Sequence, residues 1–258
     1  MTIRTTKRTP GEPTWIDLAT PDLDGAKAFY SAVFGWDYMD TGPDFGHYQM
    51  ALAQGHNAAG IGPMMPGSPM PSAWTIYFAT DDADADVARV KLLGGQVIVD
   101  PMEIPGSGTM AICVDPTGAV FGLWQTINMI GAGIENEHGA MTWHEVNTRD
   151  SAAARKFYGE LFGLTEQKME GMDYYILQHG FDMVCGVLQM DENWAGIPPH
   201  WMSYFTVDDT DAALERVVAA GGQVMVPPFD MAYGRMAVIA DPYGATVSIV
   251  KPPAVPEG

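Results

Sequence analysis

Apolar and polar positions along this chain switch period repeatedly, and the switches recur. From Thr14 the segment TWIDLATPDLDGAKAFYSAVFGW first alternates, with Ile16 and Leu18 on one side and Trp15 and Asp17 on the other, as in a strand with one buried face. It then becomes helical, because Leu23, Ala26, Phe29, Tyr30, Val33 and Phe34 form a stripe at helical spacing. Thr20 can cap and Pro21 suits the first turn, with Asp22 and Asp24 at the positive helix end. Gly35 can adopt the left-handed conformation that ends a helix. Short strands are expected over 38–40, 47–53 and 58–64, set apart by Gly, Pro, Asp and Asn.

That order of elements, strand, helix and three strands, occurs four times, with helices expected over 21–34, 82–93, 149–162 and 209–220. The third unit copies the first at one offset: Trp15 aligns with Trp143 (143 − 15 = 128), Asp17 with Glu145, and Phe29-Tyr30 with Phe157-Tyr158. The fourth copies the second, as Gly94-Gly95-Gln96-Val97 recurs at Gly221-Gly222-Gln223-Val224 and Asp115-Pro116-Thr117-Gly118 at Asp241-Pro242-Tyr243-Gly244. The fold class expected is therefore α+β, with four βαβββ modules in two pairs. One helix covers only one face of a small sheet, so two modules join into a curved mixed sheet, a cup with its helices outside. The expected division is a tail at 1–12, a first pair at 13–125, a linker at 126–139, a second pair at 140–252 and a tail at 253–258.

Charge narrows the partners. Thirteen basic against 32 acidic residues give −19, a field that repels nucleic acid and anionic membranes and attracts cations. No run approaches the ~18 apolar residues of a membrane span. The polar N-terminus does not read as a signal peptide, and Cys113 and Cys185 lie in apolar strand-like segments as free thiols do, so a cytoplasmic protein is expected. With four modules completing two pairs, either a monomer or a homodimer is compatible.

The FYxxxFG helix end, GGQV and DPxG, repeated in paired βαβββ units from about Pro13 to Pro252, resemble the vicinal oxygen chelate superfamily. That superfamily includes glyoxalase I, extradiol dioxygenases and bleomycin-resistance proteins, and its tandem four-module members are the nearest in pattern. The resemblance implies a metal held by His, Gln or Glu on a module's first strand and by Glu on its last. The corresponding positions here are Trp15, Thr75, Gly122, Trp143, Met202 and Ser248, which offer no His or carboxylate. No metal and no cofactor is therefore expected: the nearest substitutes are Asp17 and Glu145, two residues further along their strands, which give each half one carboxylate, while Gln189 and the histidines leave room for a rearranged site.

Strand parity places Trp15, Asp17, Thr75, Tyr77 and Trp124 inside the first cup and Trp143, Glu145, Met202, Tyr204 and Ser248 inside the second. Aromatic walls with one acid suit a flat, preferably cationic, organic molecule; they also suit a packed core whose acid is capped by hydrogen bonds. His144 falls on the opposite face from Glu145, while His47 and His179 can reach a cup. Two loops, PMMPGSPMPS at 63–72 and DENWAGIPP at 191–199, stand where they can cover the mouths. Two function classes follow: a metal-independent small-molecule binder, or a lyase, isomerase, dioxygenase or hydroxylase of this superfamily. The enzyme would use a displaced metal or take Asp17 or Glu145 as its base.

Overall fold

A computed structural model describes residues 2–64 and 71–253. The four apolar stripes form α1 (Leu23–Phe34), α2 (Ala83–Leu92), α3 (Ser151–Phe162) and α4 (Thr210–Ala219). Each begins one or two residues later than its pattern suggests, because the cap is an aspartate. Asp22, Asp82, Asp150 and Asp209 each accept the backbone N–H three residues on, from Gly25, Ala85, Ala153 and Ala212. Thr20 is thus not the cap; its hydroxyl bonds the backbone of Asp22 from outside the helix. Gly35 and Gly163 do end α1 and α3 with positive φ.

The strands run β1 (Thr2–Ile3), β2 (Pro13–Thr20), β3 (Asp37–Asp40), β4 (Gln49–Ala53), β5 (His56–Pro63), β6 (Ala73–Thr80), β7 (Gln96–Ile104), β8 (Gly108–Val114) and β9 (Val120–Thr126) in the first half. They continue as β10 (Ile134–Glu135), β11 (Met141–Thr148), β12 (Thr165–Lys168), β13 (Tyr174–His179), β14 (Asp182–Gln189), β15 (His200–Thr206), β16 (Gln223–Met231), β17 (Gly234–Ala240) and β18 (Thr246–Lys251). Two mixed eight-stranded sheets result, in the orders β3-β4-β5-β2-β6-β9-β8-β7 and β12-β13-β14-β11-β15-β18-β17-β16. Both edge strands β7 and β16 run further than their apolar patterns suggest. Pro101 and the Pro227-Pro228 pair are tolerated because each lies at an edge and within a register shift. The segments before Pro13 and between the halves are also tied down: β1 pairs with β10, and Arg4 and Arg8 both bind the carboxylate of Glu135.

All four helices lie outside the cups and meet between the two sheets, α1 against α4 and α2 against α3. The repeated motifs are the parts of this contact. Tyr30 on α1 donates to Asp241 Oδ2 of the other half at 3.2 Å and accepts from Trp74 Nε1 at 2.9 Å. Tyr158 on α3 does the same with Asp115 Oδ2 and Trp201 Nε1, both at 2.9 Å. Gly95 and Gly222 lie against the rings of Phe157 and Phe29, in space a Cβ would occupy. One core gathers α1 with β15 and α4, the other α3 with β6 and α2. Cys113 and Cys185 are buried free thiols on β8 and β14; burial pushes Cys113 up to about 12 and Cys185 higher still. Among the described residues no helix is long and apolar enough to cross a membrane.

Replacing Tyr158 by Phe leaves Trp201 Nε1 and Asp115 Oδ2 without this partner in a buried setting. The variant is expected to lose about 1–3 kcal/mol of unfolding free energy in urea denaturation. An unchanged midpoint and slope would show that the hydroxyl does not hold the halves together.

Candidate functional site

Register builds the first cup. β2 and β6 are antiparallel with Trp15 opposite Tyr77 and Asp17 opposite Thr75, and β6 and β9 are parallel with Tyr77 beside Gly122 and Ala79 beside Trp124. Trp15, Asp17, Thr75, Tyr77 and Trp124 therefore share the face away from the helices. Tyr77 donates to Asp17 Oδ2 at 3.2 Å, and Tyr48 donates to the same oxygen at 3.3 Å. Trp15 Nε1 in turn donates to the Tyr48 hydroxyl at 2.9 Å. Trp124 stands apart from this chain of bonds, its Nε1 held by the Met129 carbonyl at 2.8 Å.

The second cup repeats the arrangement with glutamate. Glu145 lies opposite Met202 on β15, and Tyr204 lies beside Ser248 on β18. Tyr204 donates to Glu145 Oε1 at 2.9 Å, the Tyr174 hydroxyl also bonds Glu145, and Trp143 Nε1 donates to Tyr174 at 2.7 Å. Trp143, Glu145, Met202, Tyr204 and Ser248 thus share one face. Each cup holds a tryptophan, two tyrosines and one acid in the same order.

Tyr48 and Tyr174 are the residues that the sequence pattern did not single out. Both sit at or just before a strand, β4 or β13, and reach the acid from across the sheet. Glycines make their approach possible: a Cβ at Gly60 would overlap the Tyr48 hydroxyl, one at Gly186 the Tyr174 hydroxyl, and one at Gly122 the Tyr77 ring. These small residues on β5, β14 and β9 were a readable signal, since a glycine inside a strand marks a close approach.

Burial sets the electrostatics. Asp17 is pushed up to about 7 by desolvation, against the opposing pull of the Tyr77 and Tyr48 hydrogen bonds. Glu145 is raised for the same reason, opposed by Tyr204 and Tyr174. Desolvation and the neighbouring acid raise all four tyrosines above the usual phenol range, so they serve as neutral donors. His144, on the helix side as parity implied, bonds Ser203 Oγ at 2.9 Å, and burial lowers it to about 3.

His47 and His179 do not reach a cup: His47 sits in an exposed turn beside Asp40, and His179 bonds the Pro10 carbonyl. Gln189 accepts from Ser151 N at 3.0 Å and donates to the Arg149 carbonyl at 2.7 Å, which fixes the start of α3. Of the loop at 63–72, residues 65–70 lie outside the described part, while the 191–199 loop opens with a short 3₁₀ turn, Glu192–Trp194. Among the described residues no three His, Cys, Asp or Glu side chains gather to hold a metal. The metal that the resemblance implies does not fit these cups. Each has one carboxylate, already accepting two phenols, and the Tyr77 ring fills the space over Gly122 where a last-strand carboxylate would stand.

The profile of the Glyoxalase/Bleomycin resistance protein/Dioxygenase superfamily matches residues 13–123 and again 140–249. CFP32 of Mycobacterium bovis, a protein provisionally named a glyoxylase, is 44% identical over 250 residues, covering 94% of this chain and 95% of its own. The anthracycline biosynthesis protein DnrV of Streptomyces peucetius is 37% identical over 262 residues, covering 95% of each. Among solved structures, the Mn(II)-bound glyoxalase of Novosphingobium aromaticivorans superposes with a TM-score of 0.65 at 17% identity, over 94% of this chain and 82% of that one. The 2,3-dioxygenase LapB of Pseudomonas sp. KL28 superposes with 0.62 at 14% identity, over 96% and 94%. At these identities the two structures share the fold.

The raised Asp17 has a stability consequence with a definite sign. Folding favours its protonated form, so the folded state binds more protons than the unfolded one between about pH 4 and pH 7, and stability falls as pH rises through that window. Asp17 contributes a slope of at most about 1.4 kcal/mol per pH unit there. Chemical denaturation across pH should show Asp17→Asn with a shallower decline and greater stability than the parent above pH 7. Parallel curves would mean that Asp17 titrates as an ordinary carboxylate.

Proposed function

Because the chain belongs to the glyoxalase/bleomycin resistance protein/dioxygenase superfamily, we propose that its cups bind a small, flat, aromatic molecule, with the acid rather than a metal as the polar contact. The observation that carries this reading is the first cup's half-buried Asp17, held near neutrality between Tyr48 and Tyr77 and flanked by Trp15. Half-buried apolar side chains extend the wall toward the sheet edge, Met110 beside Trp124 and Ile112 beside Gly122 in the first half, Val238 beside Ser248 in the second. Methionine and aromatic surfaces adapt to flat ligands of differing outline. The relative named for anthracycline biosynthesis supports this class, anthracyclines being flat polycyclic aromatics.

The net charge of −19 and the ionised acid favour a cationic ring over a neutral one. Stacking and cation–π contacts contribute on the order of 1 kcal/mol each, in addition to the gain from the apolar area that a flat ring buries. A second reading has its own support. A carboxyl near pH 7 with hydroxyl donors beside it is matched to proton transfer at neutral pH, so Asp17 acting as a metal-free general base is the enzyme alternative.

Tryptophan fluorescence titration with N-methylquinolinium, its neutral isostere 1-methylnaphthalene and the anion 1-naphthoate tests the binding. Above pH 7 the cation should bind about tenfold more tightly than the isostere, and the preference should shrink below pH 6 as Asp17 takes up its proton. Asp17→Asn with Glu145→Gln should erase it. Equal affinities for the cation and its isostere at every pH would sink the proposal.

A further inference from the structure

The two cups differ at the position two residues beyond the acid. In the first cup Asp17 is followed on the same face by Ala19, paired with Ala73 on β6; in the second, Glu145 is followed by Asn147, paired with His200 on β15. His200 Nδ1 lies 2.9 Å from the Pro198 carbonyl, which can only accept, so Nδ1 carries the hydrogen and, in the neutral ring, Nε2 is the acceptor. Asn147 Nδ2, 3.3 Å away, donates to that Nε2. The amide is thereby oriented, and its oxygen is left over. Asn147 is 1% exposed, and its Oδ1 is one of two buried side-chain polar atoms without a partner among the described residues; the other is Thr206 Oγ1, at the far end of β15.

A buried acceptor held in one orientation and left unmet is unusual in a native interior, and calls for a water or a ligand donor. The surroundings favour a ligand. Asn147 stands roughly 7 Å along β11 from Glu145, on the face that also carries Trp143 and Tyr204. The chain after β14 folds back over this end of the cup. Arg149 donates to the carbonyls of Trp194 at 2.6 Å and Ile197 at 2.9 Å, and the Trp194 ring lies 6.3 Å from that of His200.

We propose that Asn147 and His200 make the second cup a site for an aromatic molecule bearing a hydroxyl or amino group, whose hydrogen Asn147 Oδ1 accepts. This rests on the reading that the cups bind flat aromatics, and adds a donor requirement that the first cup lacks. The amide is a specificity element: a ligand without the donor leaves the acceptor unmet, while one with it completes the amide's bonding.

The test compares 1-naphthol with 1-methoxynaphthalene on the full chain, by calorimetric titration and by the side-chain amide signal of Asn147 in nitrogen-edited NMR. Naphthol should bind the second cup about tenfold more tightly than its methyl ether and shift the Asn147 amide signal, and Asn147→Leu should reduce that ratio to near one. Binding of both compounds with equal affinity and an unmoved Asn147 signal would overturn the inference alone, leaving a bound water as the partner of Oδ1. Failure of both to bind the second cup would overturn this inference, and a like failure of N-methylquinolinium at either cup would remove the aromatic-binding reading with it. The comparison of two ligands on the unaltered chain decides the matter even if Asn147→Leu does not fold.

Discussion

A buried tyrosine hydroxyl needs partners, and Tyr30 and Tyr158 each find one of theirs in the opposite half of the molecule. Each sits on the buried apolar stripe of its helix, and each bonds the aspartate of a DPxG turn and the indole of a tryptophan on the neighbouring strand. The same aspartates hold their own turns: Asp115 Oδ1 accepts from the amides of Thr117, Gly118 and Ala119, and Asp241 Oδ1 from those of Tyr243 and Ala245. One carboxylate thus fixes a hairpin and docks a foreign helix. The helix-covered face of each sheet is buried against the other half, and the concave faces are turned outward.

That arrangement decides what the cups can do. The central strands β2, β6, β11 and β15 present tryptophan, tyrosine and one acid to the concave side, with glycines on β5, β9 and β14 admitting the tyrosine rings. The acids are met by neutral phenols, and the causes that move Asp17 contain no positive group. An acid so placed keeps its proton more readily than in water and has electrostatic capacity left for a cation. In this respect the cups depart from a metal site, where several anionic or imidazole donors converge.

Much of this was legible in the sequence. The four helices, the pairing of modules, the parity of Asp17 and Glu145 and the opposite facing of His144 all follow from periodicity, which reports which side of an element is buried. The cap of α1 is Asp22 and not Thr20, since a threonine and an aspartate two residues apart are both good caps and only the backbone decides between them. Tyr48 and Tyr174 escaped because their rings reach the acids across neighbouring strands, and sequence shows register only through its consequences; the glycines at 60 and 186 were the trace they left. Asn147 lay open to the same parity argument as Glu145. Its partner His200 reads as a loop residue after two prolines, although it opens β15. The role of FYxxxFG, GGQV and DPxG as an interface between halves was not readable, because each motif looks local.

The proposed ligand contact depends on the state of one carboxyl group, that of Asp17, whose titration can be observed directly. With aspartate labelled at the carboxyl carbon, NMR across pH 4 to 9 follows Asp17 in the free protein and in the presence of N-methylquinolinium. The midpoint should lie near 7 in the free protein, as burial requires, and move downward when the cation stabilises the ionised form. A midpoint in the ordinary aspartate range, or one near 7 that saturating cation leaves in place, would contradict the claim that this acid is the cup's point of contact with a ligand.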